Sequence, residues 1–260
     1  MRVEQPRIQN TGIIIKSPAE LETMRQASRV VAKTVAALIK AVRPGVTTGE
    51  LDDLADGVIR SSGATPSFKG YRGFPKSICT SINEEVVHGI PGKRVIRQGD
   101  VVSLDVGAIV DGFHGDSAVT VGAGEISETA KALLEAAEGS LTSAIAACRV
   151  GARMGDVSWA AQECAESRGF GVVREYVGHG IGRALHEEPA VPNYGIPGRG
   201  IPLRHGMVLA IEPMVNAGTW KTKVLPDGWT VVTEDGSISA HFEHTVAILE
   251  QGPEVLTARN

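Results

Sequence analysis

The stretch that decides the fold runs from Gly99 to Asp105, with the residues Gly-Asp-Val-Val-Ser-Leu-Asp, and it returns from Gly206 to Glu212 as Gly-Met-Val-Leu-Ala-Ile-Glu. Each stretch is a short apolar run, which is typical of a buried strand, and each ends in a carboxylate. The second copy begins 107 positions after the first (206 − 99). The chain therefore carries two related strands with an acid at the same position.

The duplication continues upstream, where the offset between matching residues is 106 positions (149 − 43). The matching residues are Arg43, Gly45, Gly49, Glu50 and Gly63 against Arg149, Gly151, Gly155, Asp156 and Gly169, and Gly89 to Gly92 against Gly195 to Gly198. Chance agreement among common glycines is disfavoured, because one register holds from the first helical patterns to the strands. We therefore predict two related halves, approximately 17–122 and 127–250.

Each half begins with the pattern of two helices. Ser17 and Glu20 form a capping box before an apolar stripe with helical spacing. The predicted helices run from Ser17 to Pro44, from Thr47 or Thr48 to Gly63, from Ser127 to Cys148 and from Gly151 to Gly169. Helices followed by strands indicate an α+β fold, in which helices cover one face of a curved antiparallel sheet. A ligand site is expected where the two halves meet.

Composition excludes several classes of protein. The chain has 260 residues, of which 42% are hydrophobic and 22% charged, so disorder is excluded. A net charge of −4 favours neither nucleic acid nor a membrane as a partner, and no apolar run approaches the ~20 residues of a membrane span. Residues 1–16 are predicted to be an extension without a signal-peptide core, so we expect a cytoplasmic protein. Three cysteines without CxxC spacing argue against a disulfide framework and a thiolate zinc site.

Two acids lie on one face of a predicted hairpin. Asp111-Gly112 is a strong two-residue turn signal, which pairs Asp105 with Ala118 and Gly107 with Asp116. Because side chains alternate along a strand, Asp105 and Asp116 are diagonal neighbours on the same face. Buried carboxylates are costly unless they are paired or bound to a metal, so this placement favours a shared cation.

Two further candidates occur in the second half. Glu243 lies on a strand predicted from Ser239 to Ile248, and His241 shares its face, although a solvated position at the strand edge is favoured for His241 over a ligand role. His179 lies between two glycines, which leaves its ring open to a ligand, but alone it is an ordinary loop residue. The spacing around it is GxGxG, which disfavours a dinucleotide loop, and His186 starts no HExxH zinc motif.

Five motifs together closely resemble those of the type I methionine aminopeptidases, which share a duplicated "pita-bread" fold with prolidases and creatinase. They are Asn83 to Pro91, Asp105 to Asp116, Gly178 to Gly182, Glu212 to Val215, and Glu243 to Thr245. By this resemblance, residues 17–260 form a single catalytic pita-bread domain. The implied activity is a metalloaminopeptidase that removes the initiator methionine from nascent proteins whose second residue is small.

The resemblance also implies a dinuclear metal centre. Its five ligands are Asp105, Asp116, His179, Glu212 and Glu243, of which Asp116 and Glu243 bridge two divalent ions. Four carboxylates and one imidazole suit Co, Mn, Fe or Zn. By the same resemblance, the two ions would supply a hydroxide for attack on the first peptide bond, and Glu212 would be the proton shuttle.

Two histidines and an apolar pocket receive roles by the same resemblance. His186 donates a hydrogen bond to the developing oxyanion, and His88 contacts the scissile amide nitrogen. The methionine pocket is formed by Tyr71, Phe74, Cys79, Leu185 and Trp229. Leu185 replaces the aromatic residue expected there, which predicts a looser wall, and plain core packing is the alternative for Phe74 and Trp229.

Partners and competing functions follow from the family. The expected substrates are peptides and nascent chains with an N-terminal methionine, with transient contact to the ribosome, and we expect a monomer. The missing helical insertion between Glu212 and Glu243 favours type I over type II. An Xaa-Pro peptidase is the alternative within the fold, but such enzymes usually carry an extra N-terminal domain. A binding protein on the same scaffold is disfavoured, because all five ligand positions are filled.

Overall fold

The structure is a computed structural model that describes residues 12–259. Most of the predicted extension, residues 1–11, lies outside the described residues. Four α-helices occur in the described part: α1 Pro18–Ala41, α2 Thr48–Ser61, α3 Glu128–Ala147 and α4 Met154–Glu166. A short 3-10 turn spans Tyr71–Gly73. Two of these helices lie in each predicted half.

Helices α1, α2 and α3 begin where the sequence predicts, because their first turns are capped. The Ser17 hydroxyl accepts a hydrogen bond from the Glu20 backbone, and Glu20 reaches back to the backbone of Ser17, which confirms the capping box. Thr47 and Glu50 form the same box at α2. Ser127 caps α3 by accepting from the backbone of Ala130.

Fifteen strands follow the helix pairs within residues 12–259, and the ladders between them in this part of the chain are antiparallel. Their bounds are β1 Thr65–Pro66, β2 Ile78–Ile82, β3 Glu85–Val87, β4 Val101–Val110, β5 Phe113–Gly122, β6 Gly171–Val172, β7 Gly178–Gly180, β8 Glu187–Val191, β9 Val208–Ile211, β10 Met214–Asn216, β11 Thr222–Val224, β12 Val231–Thr233, β13 Ser239–His241, β14 His244–Leu249 and β15 Gly252–Val255. They pair in the orders β1-β4-β2 with β5 on β4, β13-β10-β6, β11-β12-β3, and β15-β14-β9-β7-β8. Since α1 packs on β4 and β5, and α3 on β10 and β13, the predicted α+β class is confirmed.

The β4–β5 hairpin has the predicted register. Asp105 pairs with Ala118 and Gly107 pairs with Asp116. Asp111, at the turn, has a φ of 47°, a left-handed conformation that Asp tolerates better than most residues. The turn chemistry therefore placed both acids on one face, as expected.

Hydrogen bonds between the two predicted halves form a seam between β5 and β14. The Asp116 backbone N–H donates to the Thr245 hydroxyl at 2.9 Å, and that hydroxyl donates to the Asp116 carbonyl at 2.8 Å. The Ser117 hydroxyl donates to the Glu243 carbonyl at 2.7 Å. These bonds lock two acids from distant parts of the sequence beside each other.

One apolar core joins the halves below this seam. It contains fully buried side chains from α1, α2 and α3, among them Leu38, Ile59 and Leu133. Burial of such side chains is the main favourable term in folding, at roughly 1.5–3 kcal/mol each. Within the described part of the chain, no helix combines the length and apolar character needed to cross a bilayer.

Candidate metal centre

The five predicted ligands come from five places in the chain and line one cavity. Asp105 lies on β4, Asp116 on β5 and His179 on β7, whereas Glu212 directly follows β9 and Glu243 lies between β13 and β14. One ligand atom each of Asp116, His179 and Glu243 lies within 4.8 Å of the others. This spacing suits a shared metal ion.

The strand predicted from Ser239 to Ile248 is interrupted at Glu243, and this corrects the prediction. β13 ends at His241 and pairs with β10, whereas β14 starts at His244 and pairs with β9, so the chain changes partners between them. In the gap, the Glu243 backbone donates to the Ala118 carbonyl at 3.0 Å. This break turns the Glu243 side chain into the cavity with the acids of the first half.

Buried polar atoms in this cavity have no hydrogen-bond partner among the described residues. They include Asp105 Oδ1, Asp116 Oδ1 and Glu243 Oε1. A buried carboxylate oxygen without a donor costs several kcal/mol, and native proteins satisfy such atoms. Because bound divalent cations would satisfy such oxygens, the residues fit a metal centre.

Without a cation, the carboxyl groups resist ionisation. Burial raises the pKa of Asp105 to about 7 and that of Glu212 to about 8. Burial, followed by the neighbouring carboxylates, raises the pKa values of Asp116 and Glu243 well above their usual range. Acids in such surroundings are typical of functional sites.

His179 presents a neutral nitrogen to the cavity. Its Nδ1 lies 2.9 Å from the Gly180 carbonyl oxygen. A carbonyl only accepts, so Nδ1 carries the proton and Nε2 keeps its lone pair. Burial lowers the pKa of His179 to about 3, and Nε2 lies 3.5 Å from Glu212 Oε1. This tautomer is the one a metal ligand needs.

The expectation that His241 is solvated is wrong. His241 is 2% exposed, and its Nε2 lies 3.5 Å from Glu212 Oε2. The ring is enclosed because β13 lies between β10 and the first half, where the Thr120 hydroxyl bonds to both the N–H and the carbonyl of His241. No neighbouring residue in the sequence signals this enclosure, because Thr120 lies 121 positions away along the chain.

The predicted pocket residues lie together at one side of the cavity. Tyr71, Phe74, Cys79, Leu185 and Trp229 all line it, with Phe68 and Arg72, which the sequence did not single out. Phe74 and Trp229 meet edge to face, with ring centroids 5.1 Å apart. Burial raises the pKa of the Cys79 thiol well above its usual value, so it stays protonated and is a poor nucleophile.

The two predicted substrate histidines, His88 and His186, both line the cavity. The Tyr71 hydroxyl lies 2.8 Å from His186 Nδ1, and the two rings are stacked. His88 packs edge-on against Tyr176 and Trp229, and burial lowers its pKa to about 4, so it is neutral at physiological pH.

The duplicated antiparallel fold and the carboxylate-rich cavity define a metal-dependent hydrolase. A comparison with protein families supports this class, because metallopeptidase family M24 matches residues 22–250 of the chain. The methionine aminopeptidase of Clostridium acetobutylicum is 57% identical over 246 residues, which cover 94% of this chain and 98% of that protein. Methionine aminopeptidase 1 of Bacillus subtilis is 54% identical over 245 residues, which cover 94% and 99%. The chain belongs to the methionine aminopeptidases of metallopeptidase family M24.

Solved structures confirm the pita-bread fold. The crystal structure of the Thermotoga maritima methionine aminopeptidase superposes with a TM-score of 0.94 at 49% identity, covering 95% of this chain and 100% of that one. The Pyrococcus furiosus prolidase superposes with a TM-score of 0.77 at 24% identity, covering 95% of this chain and 66% of that one. The second likeness shows the fold alone.

Proposed function

We propose that this chain is a metal-dependent aminopeptidase that hydrolyses the first peptide bond of polypeptides beginning with methionine. The observation that carries the proposal is the convergence of Asp116, His179 and Glu243 within 4.8 Å beside an apolar pocket. The pocket suits a long apolar side chain, and the carboxylates suit the cationic α-amino group. The close methionine aminopeptidase relatives support the same assignment.

We propose Asp105, Asp116, His179, Glu212 and Glu243 as ligands of two divalent cations, Co, Mn, Fe or Zn, with Asp116 and Glu243 shared between them. When bound, such ions polarise a carbonyl and make water a nucleophile at neutral pH. The unpartnered oxygens of Asp105, Asp116 and Glu243 support this ligand set. Oxygen and imidazole donors without thiolate match these metals.

The protein's own groups orient the substrate and move protons. Glu212 accepts the proton of the attacking water and passes it to the departing amine. Its Oε1 lies 3.5 Å from His179 Nε2, and its Oε2 lies 3.5 Å from His241 Nε2. His186 donates from Nε2 to the developing oxyanion, since its Nδ1 is occupied by Tyr71. His88 contacts the scissile nitrogen.

Selectivity comes from the pocket wall. Tyr71, Phe74, Cys79, Leu185 and Trp229 enclose the methionine side chain, and Leu185 leaves the wall looser than an aromatic residue would. The second residue of the substrate is small. The physiological substrates are nascent chains in the cytoplasm, met during transient contact with the ribosome, and the enzyme acts as a monomer.

Peptide hydrolysis tests the activity. The enzyme is treated with a chelator, reloaded with Mn or Co, and given Met-Gly-Met-Met and an Ala-Pro peptide. We expect release of methionine only after metal is restored. Preferred cleavage of the Ala-Pro peptide would favour an Xaa-Pro peptidase, and no cleavage of either peptide would favour a binding protein.

Metal content tests the ligand assignment separately from turnover. Asp116→Asn and Glu243→Gln should abolish activity and lower bound metal in elemental analysis, because each carboxylate is proposed to contact both ions. His88→Ala should lower kcat and leave metal content near that of the parent. Loss of metal in the His88 variant would contradict its assignment to substrate contact.

A further inference from the structure

The loop from Ser67 to Ser77 forms one wall of the cavity and carries three cationic side chains. Lys69 Nζ lies 3.6 Å from Asp56 Oδ1, and Lys76 Nζ lies 3.4 Å from Asp52 Oδ2. Both lysines are therefore paired with acids of α2. Arg72, the third cation, has no carboxylate within ion-pair distance among residues 12–259. It is an exposed charge without an ion-pair partner in this part of the chain.

Arg72 lies beside the substrate site. It lines the same cavity as His88 and His186, and its guanidinium carbon lies 5.4 Å from the centroid of the Tyr71 ring. The Tyr71 hydroxyl in turn contacts His186 at 2.8 Å. The unpaired charge therefore lies at the exposed edge of the cavity, next to the groups proposed to contact the scissile bond.

The backbone at Arg72 is held in a costly conformation. Its φ is 48° and its ψ is 25°, between Gly70 and Gly73, which both have a φ of 88°. A left-handed conformation favours glycine or asparagine, and other residues that occupy it cluster at ligand sites. An arginine at this position presents its side chain from a tight turn rather than from a freely moving loop.

From these observations we infer that Arg72 makes the enzyme prefer substrates with an acidic side chain at the third or fourth residue. This inference rests on the proposed function, which places the α-amino group at the buried carboxylates and requires a small second residue. An extended chain advances about 3.3–3.6 Å per residue, so the third and fourth side chains lie outward from the buried centre. There a carboxylate meets the Arg72 guanidinium, and a lysine is repelled by it.

The expected preference is modest, because the charge is exposed. Ion pairs of this kind change kcat/KM by about 1.4- to 5-fold, and salt screens them. This preference in kcat/KM is measured by competition between the peptides Met-Gly-Glu-Ala, Met-Gly-Gln-Ala and Met-Gly-Lys-Ala. A second set carries the variable residue at position four. The parent enzyme should prefer Glu over Gln and Gln over Lys at low salt, and the preference should shrink at high salt.

Variants assign the preference to Arg72. Arg72→Asn tolerates the left-handed backbone and should remove the preference, Arg72→Glu should reverse it, and Arg72→Lys should retain part of it. Lys69→Asn is the matched control, since Lys69 belongs to the same loop but is paired with Asp56, and it should leave the preference unchanged.

Two outcomes overturn the inference. One is equal cleavage of the Glu, Gln and Lys peptides by the parent enzyme at low salt, which needs no variant. The other is a preference that survives in Arg72→Asn or disappears in Lys69→Asn. Failure to cleave even Met-Gly-Gln-Ala with Mn or Co present would instead contradict the proposed function.

Discussion

Removing the metal ions should make the stability of this protein fall as the pH rises from about 4 to about 8. In the folded protein without metal, burial raises the pKa of Asp105 from 3.8 to about 7 and that of Glu212 from 4.5 to about 8. In the unfolded chain both groups ionise near their ordinary pKa values. The folded state therefore binds more protons across this interval. The contribution of these two carboxyl groups to stability is fully present below about pH 4 and is lost as the pH rises through 7 to 8.

The magnitude follows from the two pKa values. The difference between 3.8 and about 7 for Asp105 corresponds to about 4 kcal/mol at ~1.4 kcal/mol per pH unit, and Glu212 contributes a similar amount. Against a typical unfolding free energy of roughly 5–15 kcal/mol, this loss is large. Bound cations should reverse it, because they stabilise the ionised carboxylates.

Urea unfolding of chelator-treated protein, followed by circular dichroism between pH 4 and 8, measures this effect. Asp105→Asn should be more stable than the parent by a few kcal/mol at pH 8 and nearly equal to it at pH 4, although it should bind metal poorly. Glu125→Gln, at an exposed position, is the matched control and should follow the parent. A metal-free parent whose stability is flat over this range would contradict the prediction, as would an Asp105→Asn protein that is less stable than the parent at pH 8.

Three more predictions concern side chains around the site. Lys16→Met breaks a buried ion pair with Glu187, whose two side chains are 2% and 6% exposed, and should lower the urea unfolding free energy by about 3–5 kcal/mol; near-parent stability would contradict this. Tyr71→Phe removes the hydroxyl that contacts His186 and should lower kcat roughly 2- to 10-fold with little change in KM; an effect on KM alone would place the hydroxyl in substrate binding only. Gly180→Ala forces a methyl group into the β8 backbone and should lower both thermal stability and metal content; parent-like values of both would show that β7 can shift.

Local chemistry made several features predictable from sequence. The capping boxes at Ser17 and Thr47 and the Asp111-Gly112 turn act over two to four residues, so their effect on structure is visible in the chain itself. The turn alone sets the register that puts Asp105 and Asp116 on one face. The internal repeat then indicated that two such acidic strands belong to one site.

Other features depend on partners far away in sequence. The solvated strand edge predicted for His241 is wrong, because nothing in the neighbouring sequence reveals that Thr120 and β10 enclose it. The break at Glu243 arises because β13 and β14 join different strands, which alternation of side chains does not encode. The sequence did not identify Arg72 as a candidate. It stands out only in the folded protein, where acids of α2 pair with Lys69 and Lys76, whereas Arg72 has no carboxylate partner among the described residues.

Local patterns in the sequence predict the four helices, the positions of Asp105 and Asp116 on one face of a hairpin and, through family motifs, the chemistry to expect. Only the tertiary structure decided how the halves meet. The Thr245 hydroxyl, 129 positions from Asp116, bonds to its backbone and brings Glu243 beside the first half's carboxylates. The physical reason is that hydrogen bonds within a turn are set by adjacent residues, whereas burial and the convergence of charges depend on every element packed around them.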